Sequence, residues 1–287
     1  MTAPPELLGS YWTLAVGAEP HTDHEYSTVG FAERVASAAR AGFTGIGIWH
    51  ADLEHTLQRH TLQQMRRILD DHGIRHVELE FLNDWFLEGE AKRRSDERKK
   101  LLFEAAGALR ARSVKVGDFI RQPCPMPHLI EAFGTLCREA APLGLTIGYE
   151  MMPFCVIDSL ESARALVEGA AAANGGIFFD LWHLAKIGVS YEELARFPAR
   201  YCAGVELNDG RSKAHSMPDP HIETTQHREL CGEGEFDIRG FIAAMQRLGW
   251  RGPWGIEVLN ATLRWRPIDE VTERAFRTTR AQFDPLS

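Results

Sequence analysis

Apolar and polar positions alternate along this chain in a regular rhythm. Eight short apolar runs stand at residues 8–14, 44–49, 76–81, 113–116, 145–150, 176–180, 202–207 and 254–258. Each has the length and content of a buried strand. Between and after them, apolar residues return at intervals of three and four, at 30–41, 62–72, 95–109, 127–141, 160–172, 191–195, 238–248 and 270–283. That period belongs to helices packed by one face. Strands that alternate with helices imply βαβ crossovers and a parallel sheet. AARAGF, DDHGIR, APLGLT and QRLGWRG each place a glycine just past an apolar-periodic run, where a left-handed cap ends a helix. Ser159 before LESARALV, with a Glu near the offset of a capping box, predicts a helix start there. Eight βα units in 287 residues predict a single-domain (β/α)8 TIM barrel over residues 1–287. The one long irregular stretch, 210–234, is rich in His, Pro, Asp and Ser. It follows the seventh run and predicts a lid-like loop over the barrel mouth.

Composition narrows the partners. The net charge is −8 and the pI about 5.9, so the basic footprint that nucleic acid or an anionic membrane requires is missing. No apolar run reaches the length of a membrane span, and MTAPPELLGSYW lacks a charged leader and an apolar core. The five cysteines, Cys124, Cys137, Cys155, Cys202 and Cys231, are scattered and include no C-x-x-C pair. A disulfide framework or thiolate zinc site is therefore not expected, and a cytoplasmic location is.

Candidate chemistry gathers where the apolar runs end. Glu150 closes LTIGYE, Asp180 closes GGIFFD, Glu257 closes GPWGIE, and Glu206 stands between Val205 and Leu207. Parallel barrel strands deliver their ends to one rim, where active sites of this architecture lie. A ring of carboxylates there repels itself unless a cation shares it. An all-oxygen donor set selects Mn²⁺ or Mg²⁺ first, with Zn²⁺ or Co²⁺ next. His183, three residues beyond Asp180, is either a packed core histidine or a substrate contact beside the metal site. Lys115, inside the fourth run, is either functional or half of a buried ion pair. Trp49, His50 and Asp52 close the second run, and Glu80 stands late in the third. Tyr11, Trp12, Trp49, Phe154 and Trp182 predict an apolar wall for a sugar ring, although core packing accounts for any one of them. His227 and Arg228 approach the mouth from the long stretch, with a surface ion pair as the alternative for Arg228. GEGEFD carries too many carboxylates for a phosphate cradle and reads as a turn into a helix capped by Asp237.

The motifs LTIGYE, FFDLWH, VELNDG, HRELCGEGEFD and WGIEVLN, with SYWTL and GFTGIGIWHADL ahead of them, resemble in order those of the xylose-isomerase-like barrel superfamily. That group includes sugar isomerases and epimerases, inosose dehydratases and apurinic endonucleases. The resemblance implies a divalent metal held by Glu150, Asp180, a seventh-strand residue and Glu257. It also implies that Glu150 and Glu257 flank the substrate carbon that exchanges a proton. His183 and Arg228 match positions that contact substrate oxygens, and His50 and Trp12 join them as candidate substrate contacts. One departure stands out. The seventh-strand ligand is commonly histidine, and this chain has Glu206. Either Glu206 is the ligand, or Asn208 or a loop histidine completes the set. The expected activity is isomerisation or epimerisation of a keto-sugar or related polyol through an enediolate. Dehydration of the inosose or dehydroshikimate type at the same site is the alternative. An endonuclease, with its histidine-rich zinc site, fits an acidic chain poorly. A non-catalytic barrel would not need three strand-end carboxylates, although the altered seventh-strand position keeps that reading open. The expected partner is a small carbohydrate, and self-association stays open.

Overall fold

All eight apolar runs form strands in the computed structural model, which describes residues 4–284. The strands are β1 (Leu7–Gly9), β2 (Gly45–Trp49), β3 (His76–Leu82), β4 (Ser113–Val116), β5 (Thr146–Glu150), β6 (Gly175–Asp180), β7 (Cys202–Leu207) and β8 (Trp254–Ile256). Each pairs in parallel with the next, and β1 pairs with β8, so the sheet closes in chain order. This is a (β/α)8 TIM barrel. Alternation along the strands sorts the side chains. In β6, Phe179 packs outward on Phe197 at a ring separation of 5.1 Å, while Phe178 and Asp180 belong to the inward set.

Helices Phe31–Ala41, Leu62–Asp71, Gly89–Leu109, Met126–Ala140, Leu160–Ala170 and Ile238–Leu248 follow the strands and ring the barrel with Ile268–Arg280. Leu69, Leu102, Leu109, Phe133 and Phe241 fill the space between ring and barrel and are fully buried. Burying each such side chain contributes about 1.5–3 kcal/mol. The glycines expected to stop helices do so; Gly42 and Gly249 sit at φ 111° and 108°, where a side chain would be strained. Asp237 caps its helix by accepting from the Gly240 amide at 2.9 Å. Among the described residues no helix is long and apolar enough to cross a membrane.

Four local expectations change. The first run is strand only to Gly9. Residues Tyr11–Leu14 turn into a short helix, because Ser10 Oγ is drawn to Glu206 (2.7 Å) and the Tyr11 amide to Glu80 (3.2 Å). The second strand passes directly into helix His50–Leu57. The Ser159 capping box is closed by Ser162, whose side chain returns to the Ser159 amide at 3.2 Å; the neighbouring Glu161 is one position too early. The stretch 210–234 is not a plain loop. Asp219 caps helix Pro220–Gln226, accepting from the His221 amide at 2.8 Å, and the buried pair Lys186–Glu223 (2.6 Å) anchors it.

Candidate active site

Register brings the strand-end carboxylates together. Asp180 of β6 is paired in register with Glu206 of β7, and Glu206 with Gly255 of β8. A side chain at position 255 would meet Glu206 Cγ at 2.8 Å, so the glycine leaves the room that Glu206 fills. Glu150, Asp180, Glu206 and Glu257 each offer an oxygen within 4.8 Å of the others, and all four are buried. Glu80, also buried, comes up from β3.

Two buried cations are threaded among these acids. Lys115, inward from β4, directs Nζ at Glu206 Oε1 and Oε2 (2.8 and 2.9 Å), Glu257 Oε1 (3.0 Å) and Glu80 Oε2 (3.5 Å). Arg228 donates through Nη1 to Asp180 Oδ2 (2.9 Å) and Glu257 Oε2 (3.0 Å). Its Nη2 reaches Thr224 Oγ1 (2.9 Å) and His183 Nε2 (3.2 Å), and its plane lies over the Trp182 ring. Asp180 also caps the helix that follows β6, accepting from the His183 amide at 3.2 Å, and receives the Asn208 amide at 2.8 Å. Asn208, one of the alternative ligands, thus serves Asp180. No histidine enters the four-carboxylate group among the described residues.

Burial and these cations divide the acids. Burial pushes Glu150 and Glu80 up to about 7, against the pull of Lys115. Burial also raises Glu206, reinforced by Glu257. Glu257 is buried as deeply, yet Lys115 and Arg228 together hold it below the usual carboxylate range. Burial drives His183 down to about 3, so its imidazole is neutral. Glu150 carries the least committed oxygens: its neighbours are His183 Nε2 at 3.4 Å and Lys115 Nζ at 3.8 Å.

A cavity of about 230 Å³ opens above this cluster, sized for a small molecule. Glu80, Glu150, Glu257, His183 and Arg228 form its floor; Asp180, Glu206 and Lys115 lie beneath that floor and do not line it. Of the expected aromatic wall, Trp12, Trp49 and Phe154 face the cavity. Tyr11 and Trp182 lie behind it: the Tyr11 hydroxyl donates to the Glu25 carbonyl (3.0 Å), and Trp182 backs Arg228. His50 lines the cavity with Nδ1 unpartnered, and burial lowers it to about 3. Asp52 turns away to bind Arg34, and His227 is exposed. Sequence reasoning passed over Phe119 and Arg98, which line the cavity, and Ser10, which holds Glu206. Arg98 comes from helix Gly89–Leu109, where charges surround it on every side and no periodicity singles it out.

The donor set suits a hard divalent cation. Glu80, Glu150, Asp180, Glu206 and Glu257 are five buried carboxylates among which Lys115 and Arg228 are the two permanent cations of the described residues, which leaves three negative charges unmatched if all ionise. Asn208 Oδ1 and His183 Nδ1 are buried beside the cluster without partners. Oxygen donors at this spacing and excess negative charge are what a divalent cation requires.

Known proteins agree with this architecture. Over 245 residues the chain is 29% identical to a 3-dehydroshikimate dehydratase of Pseudomonas aeruginosa, a match covering 82% of this chain and 37% of that protein. The chain therefore spans little more than a third of the length of that relative. Among solved structures, the IolI protein with a bound zinc atom superposes with a TM-score of 0.81 at 18% identity, covering 96% of this chain and 97% of the other. A D-allulose 3-epimerase from Methylomonas sp. superposes with a TM-score of 0.69 at 18% identity, covering 99% and 100%. Residues 35–282 match the sequence profile of one family, and with the closed barrel and its strand-end acids already in place the chain belongs to it: the xylose isomerase-like TIM barrels.

Proposed function

We propose that this chain is a metal-dependent lyase that removes water from a small cyclic hydroxy-ketone bearing a carboxylate, the chemical class of 3-dehydroshikimate. The observation that carries the acidic substrate is Arg98. Its guanidinium lines the cavity, donates to the Asn83 side chain and forms no ion pair among the described residues. A half-buried arginine without a carboxylate is a ready partner for one on the substrate. The dehydratase relative supports the same substrate class.

Glu150, Asp180 and Glu257, with Glu206 as fourth candidate, would hold the metal, whose chemistry when bound is to polarise the substrate carbonyl as a Lewis acid. Glu150 is the base of this reading, because one of its oxygens faces the cavity without a strong hydrogen bond. It takes the proton from the carbon beside the carbonyl. The electrons of that C–H bond form the new double bond as the C–O bond at the adjacent carbon breaks. Glu150 returns the proton to the departing oxygen, so water leaves and the carboxylate is restored. Glu257, with both oxygens bound by Lys115 and Arg228, holds charge rather than moving a proton. Neutral His50 offers a hydrogen bond to a substrate hydroxyl, His183 steadies Arg228 by accepting at Nε2, and Trp12 and Trp49 cover the ring.

Isomerisation or epimerisation of a keto-sugar uses the same base and is the second reading, supported by the likeness to the epimerase fold. Assays with Mn²⁺ on 3-dehydroshikimate and on neutral ketoses separate the two. Dehydration of the acid, with KM raised roughly 10- to 100-fold by Arg98→Ala through loss of a charge-assisted hydrogen bond, is the expected result. Proton exchange on neutral ketoses alone, indifferent to Arg98→Ala, would establish the second reading instead.

A further inference from the structure

We infer that Lys115 is a resident cation of the barrel mouth that claims Glu206 for itself, so that a divalent ion is held by Glu150, Asp180 and Glu257 and not by the seventh-strand carboxylate. The inference rests on the reading that this cluster binds a divalent ion; it does not depend on which substrate is used.

Three observations carry it. Lys115 Nζ contacts both oxygens of Glu206 at 2.8 and 2.9 Å, closer than its contacts to Glu257, Glu80 and Glu150. Ser10 Oγ adds a donor to Glu206 Oε1 at 2.7 Å, so this carboxylate is satisfied from two sides. The ammonium cannot swing aside, because Lys115 is 1% exposed and its chain runs inside the barrel over the Phe178 ring. Glu206, like Asp180, is absent from the cavity floor, whereas Glu150 and Glu257 belong to it. A metal drawn onto Glu206 would have to displace an ammonium from both of its oxygens, whereas Lys115 reaches Glu257 through Oε1 alone and Glu150 has no cation closer than 3.4 Å. The pair Lys115–Glu206 is neutral as a unit and fixes Glu257 through the third ammonium contact, which makes Lys115 a positioning residue for the metal ligands.

The test uses Mn²⁺ with the intact chain. A crystal structure of the Mn²⁺-loaded wild type, located by anomalous scattering, should show oxygens of Glu150, Asp180 and Glu257 on the ion, with Lys115 still on Glu206. A Glu206 oxygen at a bonding distance of about 2.2 Å overturns the inference. By calorimetry, Lys115→Met should bind Mn²⁺ at least ~10-fold more tightly, because a charge is removed and a carboxylate released. The double variant Lys115→Met/Glu206→Gln should lose most of that gain. An unchanged or weaker Lys115→Met affinity overturns the inference, as does failure of both wild type and Lys115→Met to bind. If Lys115→Met does not fold, the wild-type crystal decides alone. Absence of dehydratase or ketose turnover in a protein that holds Mn²⁺ as described defeats the functional reading and leaves this one standing.

Discussion

The two arcs of the barrel mouth are built by different means. From β5 to β8 the rim is acidic; Asp180, Glu206 and Glu257 are fixed by named donors, Lys115, Arg228, Asn208 and Ser10, and Glu150 alone among the four stands free of a close one. From β1 to β3 the rim is aromatic. Trp12, Trp49 and Phe81 there, with Phe119 beyond β4, hold one another by ring contacts of 4.7–6.4 Å. On the proposed function the acidic arc supplies the charge for bond breaking. The aromatic arc offers ring faces to the cavity, the surface a bound ring would pack on. Damage to the first should therefore appear in rate and in stability, and damage to the second in substrate affinity.

The sharpest break is Glu150→Gln. It keeps size and one donor oxygen while removing the base, so carbon–proton exchange in D₂O, followed by NMR, should fall about 10²- to 10⁴-fold. Exchange within a few-fold of wild type would move the base to Glu80 or Glu257. Next comes Arg228→Met, which strips Asp180 and Glu257 of their shared guanidinium in a buried setting. Urea unfolding at neutral pH should show a loss of about 3–5 kcal/mol. A stability within 1 kcal/mol of wild type would mean that Lys115 alone carries the cluster. The smallest effect belongs to Trp12→Ala. This side chain is only partly buried and is packed edge-wise on Tyr11 at 5.1 Å. KM should rise about 3- to 10-fold, the worth of one aromatic contact, with kcat held. A fall in kcat with unchanged KM would show that the aromatic arc positions groups for the reaction and does more than bind.

The acidic arc was legible in the sequence because it is written in strand endings. Glu150 and Asp180 close strands and Glu257 lies one residue past β8, so a register argument finds all three without coordinates. Lys115 was legible as a charge inside an apolar run, although its partners were not, since they come from β3, β5, β7 and β8. Arg98 was illegible: it lies mid-helix in a run of charged residues that gives no sign of which one reaches the cavity. The short helix Tyr11–Leu14 was hidden for a related reason. Its residues are apolar enough for a strand, and what bends them away is a pair of long-range bonds to Glu206 and Glu80. Helix Pro220–Gln226, only seven residues long, was lost in a stretch whose composition reads as loop.

That short helix bears on how such an enzyme can change over generations. Thr224 on it grips Arg228 through its hydroxyl (3.1 Å to Nε), and Arg228 in turn holds Asp180 of β6 and Glu257 beyond β8. Barrel enzymes acquire new specificities by exchanging the loops over their mouths while the strands persist. Here the segment above β7 is not a free cassette. A graft that brings a new 218–229 without a threonine and an arginine at these two places would import a new lid and dismantle the acid cluster in the same step. Diversification of this chain is therefore channelled to the aromatic arc, and there to the turn after β2, because the turn after β1 supplies the Ser10 hydroxyl to Glu206 and the Tyr11 amide to Glu80.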